Sequence, residues 1–402
     1  MQKTPSRLRV LYMDGPGNVA GTYRLWKQGK TESAEVNVAF SEEFFNLCRQ
    51  LPIDALVVAS YPDKAHVQDE FIEIIHHPFA FPGKGGLRFY ISQASFSLWL
   101  IFQAIRFRAD MVLAQHMGLP WMMAPLKWCG VKIVPIMHNT LWPRGFKPPD
   151  GERRIRRLLL AWFWRRVAAM GLAVSPECVR QVADITAGQH CPMVVAHIQY
   201  NSGPFRAIAP PRHDATPFRV MFAARMEWEK GIREVLEAAR GLAESDPGAY
   251  AWDICGDGTA LPELRQKLAD LPLRGQVVLH GHLDRAQMLQ RYEQASLVLV
   301  PTGRNFSEGI NRVAIEAVLA HRPLIVTSVC PAAEYFRACA LEIAPNDPHA
   351  LAAAIARLKS DPGLYERLVT GASDAERPFY DRSQGWAASI EKICVALFGP
   401  PD

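Results

Sequence analysis

Two carboxylates stand eight positions apart in SEGINRVAIEAVLAHRPLIV, the run from Ser307 to Val326. A polar loop leads to Glu308 and Gly309, and the spacing predicts a helix starting near Asn311. Unbonded N–H groups at a helix start, with the positive end of its dipole, suit a phosphate. Gly309, Ile310 and Asn311 are therefore candidate phosphate contacts. Glu308 would sit in the loop beside that anion site, and Glu316 within the helix. One carboxylate could face a sugar while the other accepts hydrogen bonds from ribose hydroxyls. Spacing alone also fits a solvated carboxylate pair around an ordinary helix. Arg225 and Lys230 flank a turn in AARMEWEKGIREVLEAA. Two cations at the carboxyl end of a strand can neutralise a diphosphate and stabilise the charge on a departing one. Taken singly, each reads as a surface charge. Gly256-Asp257-Gly258 is a tight turn after AWDIC that lets backbone approach a ligand, a weak signal by itself. His138-Asn139 follows KIVPIM at a strand end, where a histidine lines a cleft or is merely structural. Ser175 reads as a helix N-cap followed by Pro176. Gly15, Gly17 and Gly21 make a near-miss to a dinucleotide fingerprint, with the wrong spacing and Pro16 inserted.

The elements that must hold these residues alternate between strand-like and helix-like runs, the pattern of layered α/β folds with parallel sheets. Leu8–Met13, Ala55–Ala59, Met111–Ala114, Lys132–Met137 and Gly171–Val174 read as strands. Glu42–Gln50 and Phe96–Arg108 have helical apolar spacing. The alternation breaks at NSGPFRAIAPPRHDATP, where Pro204, Pro210, Pro211 and Pro217 disfavour helix and central strand alike. A second series starts at Phe218. Its strands are FRVMFAA, AWDICG, QVVLHG, LVLV and PLIVT, with helices between them and closing helices after. Two doubly wound halves would face a cleft at the carboxyl ends of both sheets. The expected division is 1–205, a linker 206–217, 218–383, and a final helical segment 384–402.

Length and composition agree. A chain of 402 residues, 49% hydrophobic and 21% charged, suits two globular domains and not disorder. A net charge of +5 is too small to imply nucleic acid. No apolar run approaches the roughly 20 residues of a membrane span, and the start goes into a strand-like run without the apolar core of a signal peptide. The eight cysteines are scattered without a CxxC pair, as in a cytoplasmic protein with reduced thiols.

The three C-terminal motifs, in this order, resemble the GT4-type retaining glycosyltransferases of the GT-B fold, an α/β architecture of two Rossmann-like domains. The matching residues are Arg225 to Lys230-Gly231 for Arg-x4-Lys-Gly, Gly256–Gly258 for the GxG turn, and Glu308 to Glu316 for Glu-x7-Glu. Glu308-Gly309-Ile310-Asn311 and Glu316-Ala317 match as well. The resemblance is specific over about 218–385 and looser before. It implies that Arg225 and Lys230 hold the donor diphosphate, that Glu316 binds ribose and that Glu308 contacts the donor sugar. It also implies Gly15 and Gly17 near the donor phosphates, His138 lining the cleft, and transfer with retention without a metal or other cofactor. The absence of an Asp-x-Asp pair fits that. Two positions depart from the pattern: His321-Arg322-Pro323 replaces Gly-Lys-Pro, and Val329-Cys330-Pro331 replaces a Gly-Gly loop.

The resulting expectation is a hexosyltransferase moving sugar from a UDP- or GDP-linked donor to a glycan or lipid-linked acceptor in bacterial surface polysaccharide or glycolipid assembly. An NAD(P) enzyme and an inactive nucleotide-binding module stand as alternatives. Ser383–Phe398 has helical apolar spacing and, by the resemblance, returns to the N-terminal domain. Arg144–Arg166 holds eight basic residues, including Lys147 and Arg153, against Asp150 and Glu152. On a helix from Arg153, Ile155, Leu158, Leu159, Trp162 and Phe163 fall opposite most of the arginines, with Trp164 among them. That pattern suits a helix lying on anionic lipid at the cytoplasmic face of a membrane, or else a core helix with a solvated basic edge.

Overall fold

Strands that are apolar on both faces demand a covering layer on each side. In the computed structural model, which describes residues 7–30, 36–81, 86–115, 118–146, 153–271, 273 and 275–400, two such sheets are each sandwiched between helices. Lys147, Asp150, Glu152, the Arg153 side chain and the first six residues lie outside the described set. The N-terminal sheet comprises β1 (Leu8–Gly15), β2 (Ile53–Ala59), β3 (Ala65–Gln68), β4 (Ile72–His76), β5 (Met111–Gln115), β6 (Lys132–Met137), β7 (Gly171–Ala173) and β8 (Met193–Val195). Its order is β3-β4-β2-β1-β5-β6-β7-β8, parallel except for the β3–β4 pair. The second sheet comprises β9 (Phe218–Ala223), β10 (Tyr250–Cys255), β11 (Val277–Gly281), β12 (Leu297–Val300), β13 (Leu324–Thr327) and β14 (Ala340–Ile343). Its order is β11-β10-β9-β12-β13-β14, parallel throughout. Both orders reverse direction at the first strand of the series, which opens a crevice at the carboxyl ends.

Some elements differ from the sequence expectation. β3, β4, β8 and β14 are short, and β3 is too polar to announce itself as a strand. The helix expected from Phe96 begins at Gly86 and runs to Phe107. The last helix spans Trp386–Phe398, because Arg382–Gln384 forms a 3-10 turn and Gly385 is extended. Ser175 occupies the N-cap position of helix Pro176–Thr186 but makes no capping bond; its hydroxyl donates to the Cys178 sulfur at 3.4 Å.

The chain crosses between the two sheets twice, and the crossings are bonded to each other. The His197 amide donates to the Gln384 carbonyl at 2.9 Å, and the Tyr200 amide to the Phe379 carbonyl at 3.0 Å. After the second crossing, helix Trp386–Phe398 packs on helix Phe40–Gln50 of the N-terminal domain. Trp386 lies 5.3 Å from the Tyr12 ring, and Ile390, Ile393 and Cys394 are buried in the same cluster. No helix among the described residues is long and apolar enough to cross a membrane.

Candidate active site

The turn Trp228–Lys230 follows β9, and Gly231 after it has φ +85°, which a side chain would strain. A Cβ on Gly231 would also meet the Pro301 carbonyl at 1.9 Å. The loops after β9 and β12 therefore touch there, and Lys230 reaches Glu308. The Lys230 ammonium donates to Glu308 Oε1, Thr302 donates to Oε2 at 2.8 Å, and Asn311 Nδ2 lies 3.0 and 3.2 Å from the two oxygens. These contacts use most of the carboxylate's acceptor capacity. The Lys230–Glu308 pair is almost wholly buried, which is tolerable only because both charges are bonded. Phe306 completes the enclosure, its ring centroid 3.9 Å from the ammonium.

Asn311 has a second task. Its Oδ1 accepts the Ala314 amide at 3.2 Å and caps helix Arg312–Leu319. One turn into that helix, Glu316 is buried and accepts from Tyr292 at 2.7 Å and Tyr200 at 3.3 Å. Burial, reinforced by the Glu316 charge, pushes the Tyr292 hydroxyl well above its ordinary pKa, so it stays a donor. Burial likewise raises the Cys330 thiol, with the Glu308 carboxylate adding to the effect. Cys330 thus contributes a neutral wall beside Glu308.

Of the sequence candidates, Lys230, Glu308 and Asn311 form one bonded cluster. Arg225 lies in the same loop as Lys230, is exposed, and has no ion pair among the described residues. Gly256, at φ +128°, and Gly258 are required for a different reason than a ligand. A Cβ on either would strike backbone of the Arg225 loop, at Ala224 O (1.9 Å) or Met226 O (2.6 Å). The GxG turn therefore buttresses the loop that carries Arg225. Gly309 faces the other domain: its Cβ would fall 2.1 Å from the His138 carbonyl oxygen and 2.6 Å from Val174. Ile310 beside it packs against clusters of both domains. His138 follows β6 and leans on Phe40, ring centroids 4.9 Å apart. Gly15 ends β1 at φ +98° and Gly17 is exposed just beyond it. Among the described residues neither is bonded to the Lys230–Glu308–Asn311 cluster. The Gly21 amide of the near-miss fingerprint is already taken by Asn18, at 3.0 Å.

Thr302, Phe306, Tyr200 and Tyr292 escaped the sequence reading, being neutral residues without a diagnostic spacing. Elsewhere along the domain boundary, Arg312 donates to Asn37 at 3.0 Å and Arg144 to the Ser328 carbonyl at 2.7 Å. Arg180 bonds Glu334 and, at 2.8 Å, Glu177. The cavity of about 700 Å³ here has walls that pair with one another, as a latch would.

Residues 206–374 match the family described as glycosyl transferases group 1. Among curated proteins, the chain is 27% identical over 158 residues to glycogen synthase of Mycobacterium tuberculosis, covering 39% of this chain and 37% of that one. It is 26% identical over 195 residues to D-inositol 3-phosphate glycosyltransferase of Thermomonospora curvata, covering 46% and 43%. The chain thus spans about two fifths of the length of these relatives. Among solved structures, HepE of Anabaena in complex with UDP superposes with TM-score 0.66 at 16% identity, over 97% of this chain and 100% of that one. Sucrose-phosphate synthase of Thermosynechococcus elongatus gives 0.70 at 16%, over 98% and 99%. The fold is GT-B, and the C-terminal domain carries the group 1 sequence signature.

Proposed function

We propose that the chain is a retaining, metal-independent hexosyltransferase that moves a sugar from a UDP- or GDP-linked donor to a hydroxyl of a glycan or glycolipid acceptor. The observation that carries this is the buried Lys230–Glu308–Asn311 cluster at a helix start, with the exposed Arg225, which has no ion pair among the described residues, at the same sheet end. The group 1 match over the C-terminal domain supports the reaction class. A UDP complex and a UDP and glucose complex of the fold neighbour HepE support the donor class.

In this reading Arg225 and Lys230 take the donor diphosphate, together with the amides near Gly309 and Ile310. Lys230 turns from Glu308 towards phosphate oxygen, which releases part of the Glu308 carboxylate for a sugar hydroxyl. Glu316, already oriented by Tyr292 and Tyr200, accepts from ribose. Charge developing on the departing diphosphate meets groups already in place. The acceptor hydroxyl attacks on the face that the diphosphate leaves, and a phosphate oxygen takes its proton. The eight thiols, none in a disulfide, suit a cytoplasmic setting. NMR of the product from a nucleotide-sugar assay tests the reaction. The donor's anomeric configuration is expected, and inversion would sink the mechanism. A thermal-shift screen with UDP, GDP and NAD comes first; stabilisation by NAD alone would remove the donor assignment.

A further inference from the structure

Helix Gly86–Phe107 has an outward face that is apolar where a soluble helix is polar. Leu98 and Phe102 are each 60% exposed, and Leu87, Ile91 and Ile105 continue the stripe at helical spacing. Helix Arg153–Arg166 does the same. Ile155 is 71% and Leu158 62% exposed, with Leu159 and Trp162 beside them, while Phe163 and Trp164 are buried in the core. Trp164 is thus a core residue, not one of the surface arginines' neighbours. Both helices cover the same side of the N-terminal sheet and pack on the turn Pro120–Met123 between them. Their outward faces therefore look away from that sheet together.

The charge on these helices has one sign. Gly86–Phe107 holds two arginines, Arg153–Arg166 holds six, and neither holds a carboxylate. Exposed apolar stripes of this extent mark an interaction site. A second copy of the chain is disfavoured as the occupant, because a two-fold interface would set the arginines of one copy against those of the other. An anionic bilayer satisfies both features, taking the apolar side chains into the headgroup boundary and the arginines against phosphate.

A pocket of about 320 Å³ is lined by Trp121 of the turn, by Arg156, Leu160 and Phe163 of the second helix, and also by His138. His138 is the residue whose carbonyl meets Gly309. We propose that the N-terminal domain docks on an anionic membrane surface through the outward faces of these two helices, so that a lipid-anchored acceptor reaches the cleft past His138. The second clause rests on the glycosyltransferase reading; the docking does not.

Sedimentation of the full chain with phosphatidylcholine vesicles, with and without phosphatidylglycerol, tests the docking in the absence of donor or acceptor. Pelleting with anionic vesicles at low salt is expected, falling at high salt. Leu98→Gln/Phe102→Gln/Leu158→Gln/Trp162→Gln should abolish it. Arg154→Gln/Arg157→Gln should weaken it about tenfold or more, and serves if the first variant folds poorly. Both variants should keep the wild-type response to nucleotide in a thermal-shift assay, which separates failure of docking from failure of the donor site. Absence of lipid-dependent pelleting, equal pelleting with neutral vesicles, or unchanged binding by both variants would overturn the proposal. So would a dimer in sedimentation velocity that the apolar substitutions dissolve.

Discussion

Arg225 and Lys230 occupy one loop yet stand in opposite electrostatic positions. Arg225 is exposed and has no ion pair among the described residues, so Arg225→Ala should leave the melting curve within about 0.5 kcal/mol of wild type. If it holds the diphosphate, kcat/KM should still fall roughly 10²–10³-fold. Full activity would return it to the surface charges. Lys230→Met, in contrast, leaves Glu308 buried without its cation and should destabilise the fold by about 3–5 kcal/mol. Adding Glu308→Gln should recover much of that loss, measured by denaturant titration as a double-mutant cycle. Strict additivity would mean that the pair is not coupled. These two charged residues and Asn311 were legible because charge and amide at fixed spacing imply anion chemistry. Thr302, Phe306 and Tyr292 were not legible, since a hydroxyl or a ring joins a site only through the fold that delivers it.

The final helix carries its own test. Glu43 in helix Phe40–Gln50 is buried, and its Oε2 accepts the Ala387 amide at 3.0 Å in the first turn of helix Trp386–Phe398. Oε1 is buried with no hydrogen-bond partner among the described residues. Burial raises the carboxyl from 4.5 to about 7, outweighing the Ala387 bond and the Arg382 charge. The folded chain therefore retains a proton that the unfolded chain loses, and stability falls as pH rises from about 4.5 to 7. Glu43→Gln keeps an acceptor for Ala387 and removes the charge. It should stabilise the protein at pH 8 by roughly 2 kcal/mol and have little effect at pH 4.5. Equal effects at both pH values would show that the charge is not the cause. The helix itself could be anticipated from the spacing of Trp386, Ile390 and Ile393. Its carboxylate partner could not, since helix periodicity says nothing of what lies 344 residues away.

At the scale of the molecule, alternating strands and helices interrupted by a proline-rich stretch sufficed to anticipate two α/β halves. The second crossing near 379–385 and the arginine latch depend on long-range contacts that no local pattern encodes. Ending the chain after Gln384 should be far more disruptive than losing a surface helix. Burying residues such as Trp386, Ile390 and Ile393 is worth roughly 1.5–3 kcal/mol each, against a usual total of about 5–15 kcal/mol. The truncated protein is expected to precipitate or to bind a hydrophobic dye. A soluble, fully active truncation would show that the helix is dispensable.

The return of that helix also bears on how the protein is made. A domain continuous in sequence can fold while the rest of the chain is still on the ribosome. The region around the second sheet, whose core draws on residues from Ile198 to Phe379, meets that condition. The domain that precedes it does not, because the cluster around Tyr12 and Phe44 includes Trp386, Ile390 and Ile393. Of the two domains, the one that leaves the ribosome earlier is therefore the one completed later, and it must wait with part of its core uncovered until Trp386, Ile390 and Ile393 have followed.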